Sequence, residues 1–310
     1  MSNEDVEHLM LVHIWSTKPA RECVSTLKIN ALKVIGETFS KNMEDVDHMM
    51  ALPELVAMRG HLSVREMVLY TQALAETRGY MDSKSEATKQ KVRDKVVELR
   101  KKENAEERVD AMVKEGQRVL RELLSNHENV RSSMRSLLGL SLSAFWTAFE
   151  CLAKDAWIFV VNSRPNDVVS RVLHAVVSEG ESDGLSEKQI SIRLLARYGF
   201  DLRGALGYVL VEKFDFTSVT GIRKAYAALF GKLPELEEIF TDESINHLEA
   251  IRHVIVHRAG IVDDEYIKRV RSPLSKGEMV PINAETTERF GNVVVDSGCA
   301  LLRFVDGRCE

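Results

Sequence analysis

Proline is scarce in this chain, six in 310 residues, and alternating polar and apolar runs of the kind a half-buried strand needs are scarcer still. Their absence leaves helix as the default, since Ala, Leu, Met, Glu, Lys and Arg fill long stretches with apolar spacings of three and four. Cysteine is sparse as well: Cys23, Cys151, Cys299 and Cys309 are dispersed, without CxxC spacing, which excludes a disulfide scaffold, argues against structural zinc and suits a reducing compartment. Positive charge is not in excess either. A formal net charge of -5 and a pI near 6.0 exclude a general polyanion-coating protein, so any nucleic acid has to be held by a local cationic site. No apolar run reads as a membrane span, and MSNEDVEHLMLVHIW places acids ahead of a short apolar stretch, the reverse of a secretory signal. The expectation is a cytoplasmic protein with no membrane partner.

With 45% hydrophobic and 29% charged residues, the chain has the material for one large core or two ordinary ones. From Met1 to about Tyr80 the pattern is helical but uneven, with breaks expected near Pro19, Pro53 and Gly60 and no motif that carries chemistry. From about Met81 to Gly116 mixed charge predicts an exposed connecting helix, a solvated face rather than a nucleic-acid arm. A strong amphipathic helix follows over 129–162, with Leu138, Leu142, Phe145, Phe149 and Leu152 at helical spacing and a stop at Ser163-Arg164-Pro165. Further helices are predicted over 186–198, 220–230, 242–258 (capped by Thr241, stopped by Gly260) and 284–305, about five in this half. The division expected is a helical N-terminal region, 1–118, for recognition or regulation, and a second domain, 119–310.

The chemistry concentrates on ESINHLEAIRHVIVHR. At about 100° per residue, Leu248, Ile251 and Ile255 form an apolar stripe while Asn246, Glu249, His253 and His257 form a polar row, with Arg252 at its edge. A packed helix is a rigid mount for such groups. RNA carries its own nucleophile, the 2′-hydroxyl, so cleavage needs a base, an acid for the leaving oxygen and a cation for the charge building on phosphorus. Histidine, whose ordinary pKa of about 6.5 leaves both protonation states accessible, and arginine, whose fork binds two phosphate oxygens, supply all three without metal.

The stretch IRHVIVHRAGIVDDEYIKRV resembles the signature of the HEPN superfamily (higher eukaryotes and prokaryotes nucleotide-binding): Arg252, the polar His253, the apolar Val254-Ile255-Val256, then His257, followed by Gly260, Asp263, Asp264 and Tyr266. Upstream, SLSAFWTAFECLAKDAW resembles the early HEPN helix, with its aromatic residues and one acid, Glu150. The resemblance covers about the last 185 residues. It implies an all-α helical bundle that forms a homodimer with the two motifs facing each other, a metal-independent endoribonuclease leaving a cyclic phosphate end. It also implies roles: Arg252 stabilising the transition state, His257 as general base or acid, and His253 orienting substrate, although asparagine is commonest in the family at that second position. No cofactor is implied, and RNA is the substrate, with a regulatory protein as a further partner and defence or stress as the setting by analogy.

Plainer readings stand beside these. A lone histidine at a helix C-terminus favours the dipole. His253 and His257 have the spacing of helical zinc ligands, but valine replaces the glutamate of HExxH and no third ligand is apparent nearby, so no metal is assigned. Glu150, Asn246 and Glu249 are supporting candidates only, and the aromatic set Phe145, Trp146, Phe149 and Trp157 reads as core or dimer interface. Arg258, Lys268, Arg269 and Arg271 either line a path for RNA backbone or keep a loop soluble. Two other functions compete with cleavage: a non-catalytic HEPN dimer binding RNA, a nucleotide or a partner protein, and a helical adaptor.

Overall fold

The computed structural model describes residues 9–10, 16–77, 85–102, 105–178, 192–202 and 204–309, and every regular element among them is helical. In chain order these are α1 (Lys18–Thr26), α2 (Asn30–Thr77), α3 (Glu86–Lys102), α4 (Ala105–Asn126), α5 (Glu128–Ser163), α6 (Pro165–Ser178), α7 (Ile192–Arg197), α8 (Leu206–Leu210), a 3-10 turn (Val211–Lys213), α9 (Val219–Phe230), α10 (Pro234–Thr241), α11 (Glu243–Arg258), α12 (Asp264–Val270) and α13 (Ala284–Cys309). The fold class is all-α. One isolated bridge, Ile261 with Met279, joins the turn after α11 to the loop before α13.

Two compact units form, and both α2 and α5 contribute residues to each: unit 1 takes 1–13 and 50–135, unit 2 takes 14–49 and 136–310. These differ from a cut at residue 118, because α1 and the first turns of α2 pack into the C-terminal unit. The physical reason is at the far end of the chain. The Asp306 carboxylate on α13, itself buried, accepts from the backbone N–H groups of Lys28 and Ile29 just ahead of α2, satisfying donors a helix start would otherwise leave orphaned.

Unit 1 is built on the second part of α2 with α3 and α4. Pro53 and Gly60 do not break α2, contrary to expectation. A proline removes one N–H from the helical ladder, and here the turn that follows is held against α4: Glu54 accepts from Gln117 at 3.2 Å, and Met58 lies where a Cβ on Gly116 would fall. Pro19, by contrast, sits in the first turn of α1, where its missing N–H costs nothing. The charged stretch expected as one connecting helix is two, α3 and α4. Arg100 pairs with Glu66 at 2.5 Å, Lys95 with Glu76 at 3.0 Å, and Val92, Leu120 and Leu124 are buried.

Unit 2 is organised by α5. Leu138, Leu142, Phe145, Phe149 and Leu152 are all buried, as their spacing predicts, and so are Trp146 and Trp157, which places the aromatic set in the core. The Trp157 indole N–H donates to the Ala225 carbonyl of α9 at 2.9 Å and the Tyr226 hydroxyl donates back to Ala153 at 2.8 Å, locking α5 to α9. Where α13 crosses, a Cβ on Gly298 would lie 2.6 Å from Phe39 and 2.9 Å from Leu152, so only glycine admits that approach of α2, α5 and α13. By length and composition α5 is apolar enough to cross a membrane, which the sequence reading did not anticipate; 56% of that apolar window is buried within the protein. Helices α8, α10 and α12 are too short for their periodicity to show, α6 adds a helix beyond those expected although Val168, Val172 and Val176 recur every four, and residues 186–191 of the expected 186–198 helix lie outside the described residues.

Candidate functional site

Helix α11 carries the Arg/His motif and is anchored at both ends. Asp242, rather than the neighbouring Thr241, is the N-cap: its carboxylate accepts from Ser244 at 2.7 Å and Ile245 at 3.1 Å, while the Thr241 hydroxyl bonds back into α10. At the other end Ala259 turns left-handed (φ 53°) ahead of Gly260 (φ 83°), whose N–H donates to Val254 at 2.9 Å. Between them Ile245, Leu248, Ala250, Ile251 and Val254 are buried, facing α9, α10, α12 and α13. Of the three apolar motif positions only Val254 is buried. Ile255 is half-buried near Gly139 of α5, and Val256 is 53% exposed.

The polar row divides into committed and uncommitted groups. The Asn246 amide donates to the carbonyls of Phe240 and Asp242 at 3.1 and 2.8 Å, closing the end of α10. Glu249 is 7% exposed; its carboxylate accepts from the Val219 N–H at 2.9 Å, at the first turn of α9, and is ion-paired with Arg269 of α12. Arg258 lies 3.6 Å from Asp263, the N-cap of α12. Arg252, His253 and His257 have no hydrogen bond among the described residues, and the two imidazoles lie with ring centroids 4.8 Å apart, inclined at 49°. Arg252 and His253 are half-buried and His257 is exposed, so all three reach solvent from one rigid helix.

Glu150 joins this group from α5. Burial raises its carboxyl above the usual carboxylate range, and the Arg252 guanidinium is the principal charge that opposes the shift. The Trp146 side chain, one turn back, also lies beside that carboxyl, yet its fully buried indole N–H has no hydrogen bond of ordinary geometry. Asp215 stands near from the loop before α9. Burial pushes its own carboxyl up, but hydrogen bonds from the Ser218 and Thr217 hydroxyls and the Thr217 N–H outweigh this and hold it below the usual range. The Arg252 charge, from one of the two resembling segments, thus acts on the Glu150 carboxyl of the other. Lys268 and Arg271 on α12 and its C-cap are exposed and carry no ion pair among the described residues, whereas Arg269 is spent on Glu249.

Two neighbours of the motif escaped the sequence reading. His247 points the other way from Arg252: its ring is 3.1 Å from the buried Tyr266 hydroxyl and edge-on to Phe290 at 5.5 Å, and burial, aided by Arg289, holds its pKa below the usual histidine value. Asp215 belongs to an Asp-x-Thr-Ser turn that is readable as a helix start, but that its charge acts on Glu150 follows only from the fold. Among the described residues no three His, Cys, Asp or Glu side chains are grouped as metal ligands would be. The chain was compared with family models, with curated proteins and with solved structures, and no match was found in any of the three.

Proposed function

We propose that the chain is a metal-independent endoribonuclease of the HEPN type, in which Arg252 and His257 act at the 2′-hydroxyl and phosphate of RNA and leave a cyclic phosphate end. The observation that carries this reading is the contrast along α11. Asn246, Glu249 and Arg258 all have structural partners, while the side chains of the motif residues Arg252, His253 and His257 have no hydrogen bond among the described residues. A polar group held on a packed helix with no internal partner is available to a ligand. In this mechanism His257 takes the 2′-hydroxyl proton or delivers one to the leaving oxygen, Arg252 meets the charge on the phosphoryl oxygens, and His253 positions the backbone. Glu150 orients Arg252 from α5. Lys268 and Arg271 extend the cationic surface toward flanking phosphates.

Homodimerisation through this unit is part of the proposal. Val256 at 53%, Ile261 at 45%, Met279 at 58% and Leu140 at 59% are exposed on elements beside the motif, an apolar rim that a second copy would cover while bringing its own Arg/His pair. One observation favours the binding reading instead: neither imidazole is oriented by a hydrogen bond among the described residues, where a general base is ordinarily held by a third group.

The test is purified wild type, Arg252→Ala and His257→Ala incubated with mixed RNA in excess EDTA, with fragment ends read for 2′,3′-cyclic phosphate. Cleavage by wild type that falls by about 100-fold or more in both folded variants supports the nuclease. Equal cleavage by all three, or none by wild type alongside RNA retention lost in Arg252→Ala, replaces it with the binding reading.

A further inference from the structure

The second part of α2, in unit 1, presents an exposed and largely apolar face. Leu52, Val56, Val64, Met67, Val68 and Tyr70 are between 48% and 63% exposed, and Gly60 in their midst would seat a Cβ in open space. Placing residues 52–75 at about 100° each, every position within about 80° of the Gly60 direction is uncharged. Leu74, Pro53, Ala57, Ser63, Thr71 and Ala75 complete that arc, and Glu54, Arg59, Arg65, Glu66 and Glu76 all fall outside it, toward α3 and α4. The opposite side holds the unit together through Met58, Leu69 and Ala73. A solvated helix alternates its charges around its circumference; this one has moved all of them to one side over about 35 Å.

We infer that this face is a self-association surface, on which α2 of a second copy packs antiparallel about a two-fold axis through Gly60. Three observations select a second copy. Along the step-of-four ridge the face is symmetric about residue 60: four residues either side stand Val56 and Val64, and eight either side stand Leu52 and Val68, so the axis sets Val56 against Val64 and Leu52 against Val68 of the other chain. Steps of four form the ridge by which two helices most commonly interdigitate, and the unencumbered glycine at the crossing lets the backbones come close. The exposed area of the six large side chains, on the order of 600 Å² per copy, approaches the roughly 800 Å² per partner of a standard interface. A charge-free surface asks for a partner equally free of charge, and the chain supplies one. The surface lies in unit 1 and does not rest on the ribonuclease reading, which places its own dimer contact in unit 2.

Sedimentation velocity of the full chain from about 1 to 100 μM tests it. Wild type is expected to associate, with Val64→Glu weakening association by at least about 100-fold, since each dimer would bury two unpaired carboxylates against valine. Gly60→Leu is expected to weaken it comparably without lowering the helical far-UV signal or the thermal transition, because a Cβ there meets nothing within one copy and leucine is the better helix former. Independently, in a Cys151→Ser, Cys309→Ser background, Gly60→Cys should oxidise to an intermolecular disulfide and Gln72→Cys, off the arc, should not. A wild type monomeric at 100 μM overturns the inference. So does association that both variants leave unchanged, which assigns it to another surface, and so does a monomer that instead binds lipid vesicles through Val64.

Discussion

Replacing Glu249 separates a structural carboxylate from a catalytic one. It lies on the same polar row as His253, yet its oxygens are consumed: one buried N–H at the start of α9 and the Arg269 guanidinium of α12 both depend on it. Alanine there leaves the Val219 N–H buried without an acceptor, a cost of about 1–3 kcal/mol, and releases Arg269. The Arg269 side chain is 31% exposed and can turn to water, so losing the pair adds only about 0.5–1 kcal/mol. Glu249→Ala is therefore expected to destabilise unit 2 by about 2–4 kcal/mol, roughly 5–15 °C in Tm for a unit of this size. Glu249→Gln keeps an acceptor for Val219 and is expected to lose about 1 kcal/mol. Denaturant unfolding of both, with ribonuclease activity measured well below the transition, is the assay. Glu249→Ala within 0.5 kcal/mol of wild type, or a folded Glu249→Gln with activity down by about 100-fold, would refute the argument.

Three further outcomes follow from contacts described above. Asp306→Ala, which strips two N–H groups ahead of α2 of their carboxylate, is expected to cost about 2–3 kcal/mol, with Asp306→Asn recovering part of it, read by chemical denaturation. Gly298→Ala forces a methyl against Phe39 and Leu152 and is expected to destabilise by about 1–3 kcal/mol, whereas Gly307→Ala, which meets nothing, is expected to stay within about 0.5 kcal/mol. Glu150 has a carboxyl raised by burial, so the folded state holds its proton more tightly than the unfolded chain. Its contribution to stability is then fully present below the usual glutamate pKa and is lost as pH rises through the raised value. Glu150→Gln is expected to remove that loss, so the variant gains on wild type at neutral pH relative to pH 4; a pH-independent difference in Tm would contradict it.

The helix that carries the candidate site could be read from the sequence because its information is local. The spacing of Leu248 and Ile251 sets the buried face of α11, Gly260 ends it, and the motif residues lie within one helix, so their shared mount depends on nothing distant, although the cap is Asp242 and not the expected Thr241. The same holds for α5, whose apolar period named the core that Trp146, Phe149 and Leu152 fill. The sequence by itself therefore determined the all-helical class, the core face of α5 and the helix that bears Arg252, His253 and His257. Only the tertiary structure decided which polar groups of that helix are occupied: Asn246, Glu249 and Arg258 look like His253 in sequence, but their partners come from α10, α9, α12 and the turn between α11 and α12. It also decided that Pro53 and Gly60 lie within an unbroken α2, whose intervening turns meet Gln117 and Gly116 of α4. Periodicity shows which face of a helix is apolar, but which group on a neighbouring turn or helix a polar side chain reaches, such as Val219 for Glu249, is settled only when the chain folds back on itself.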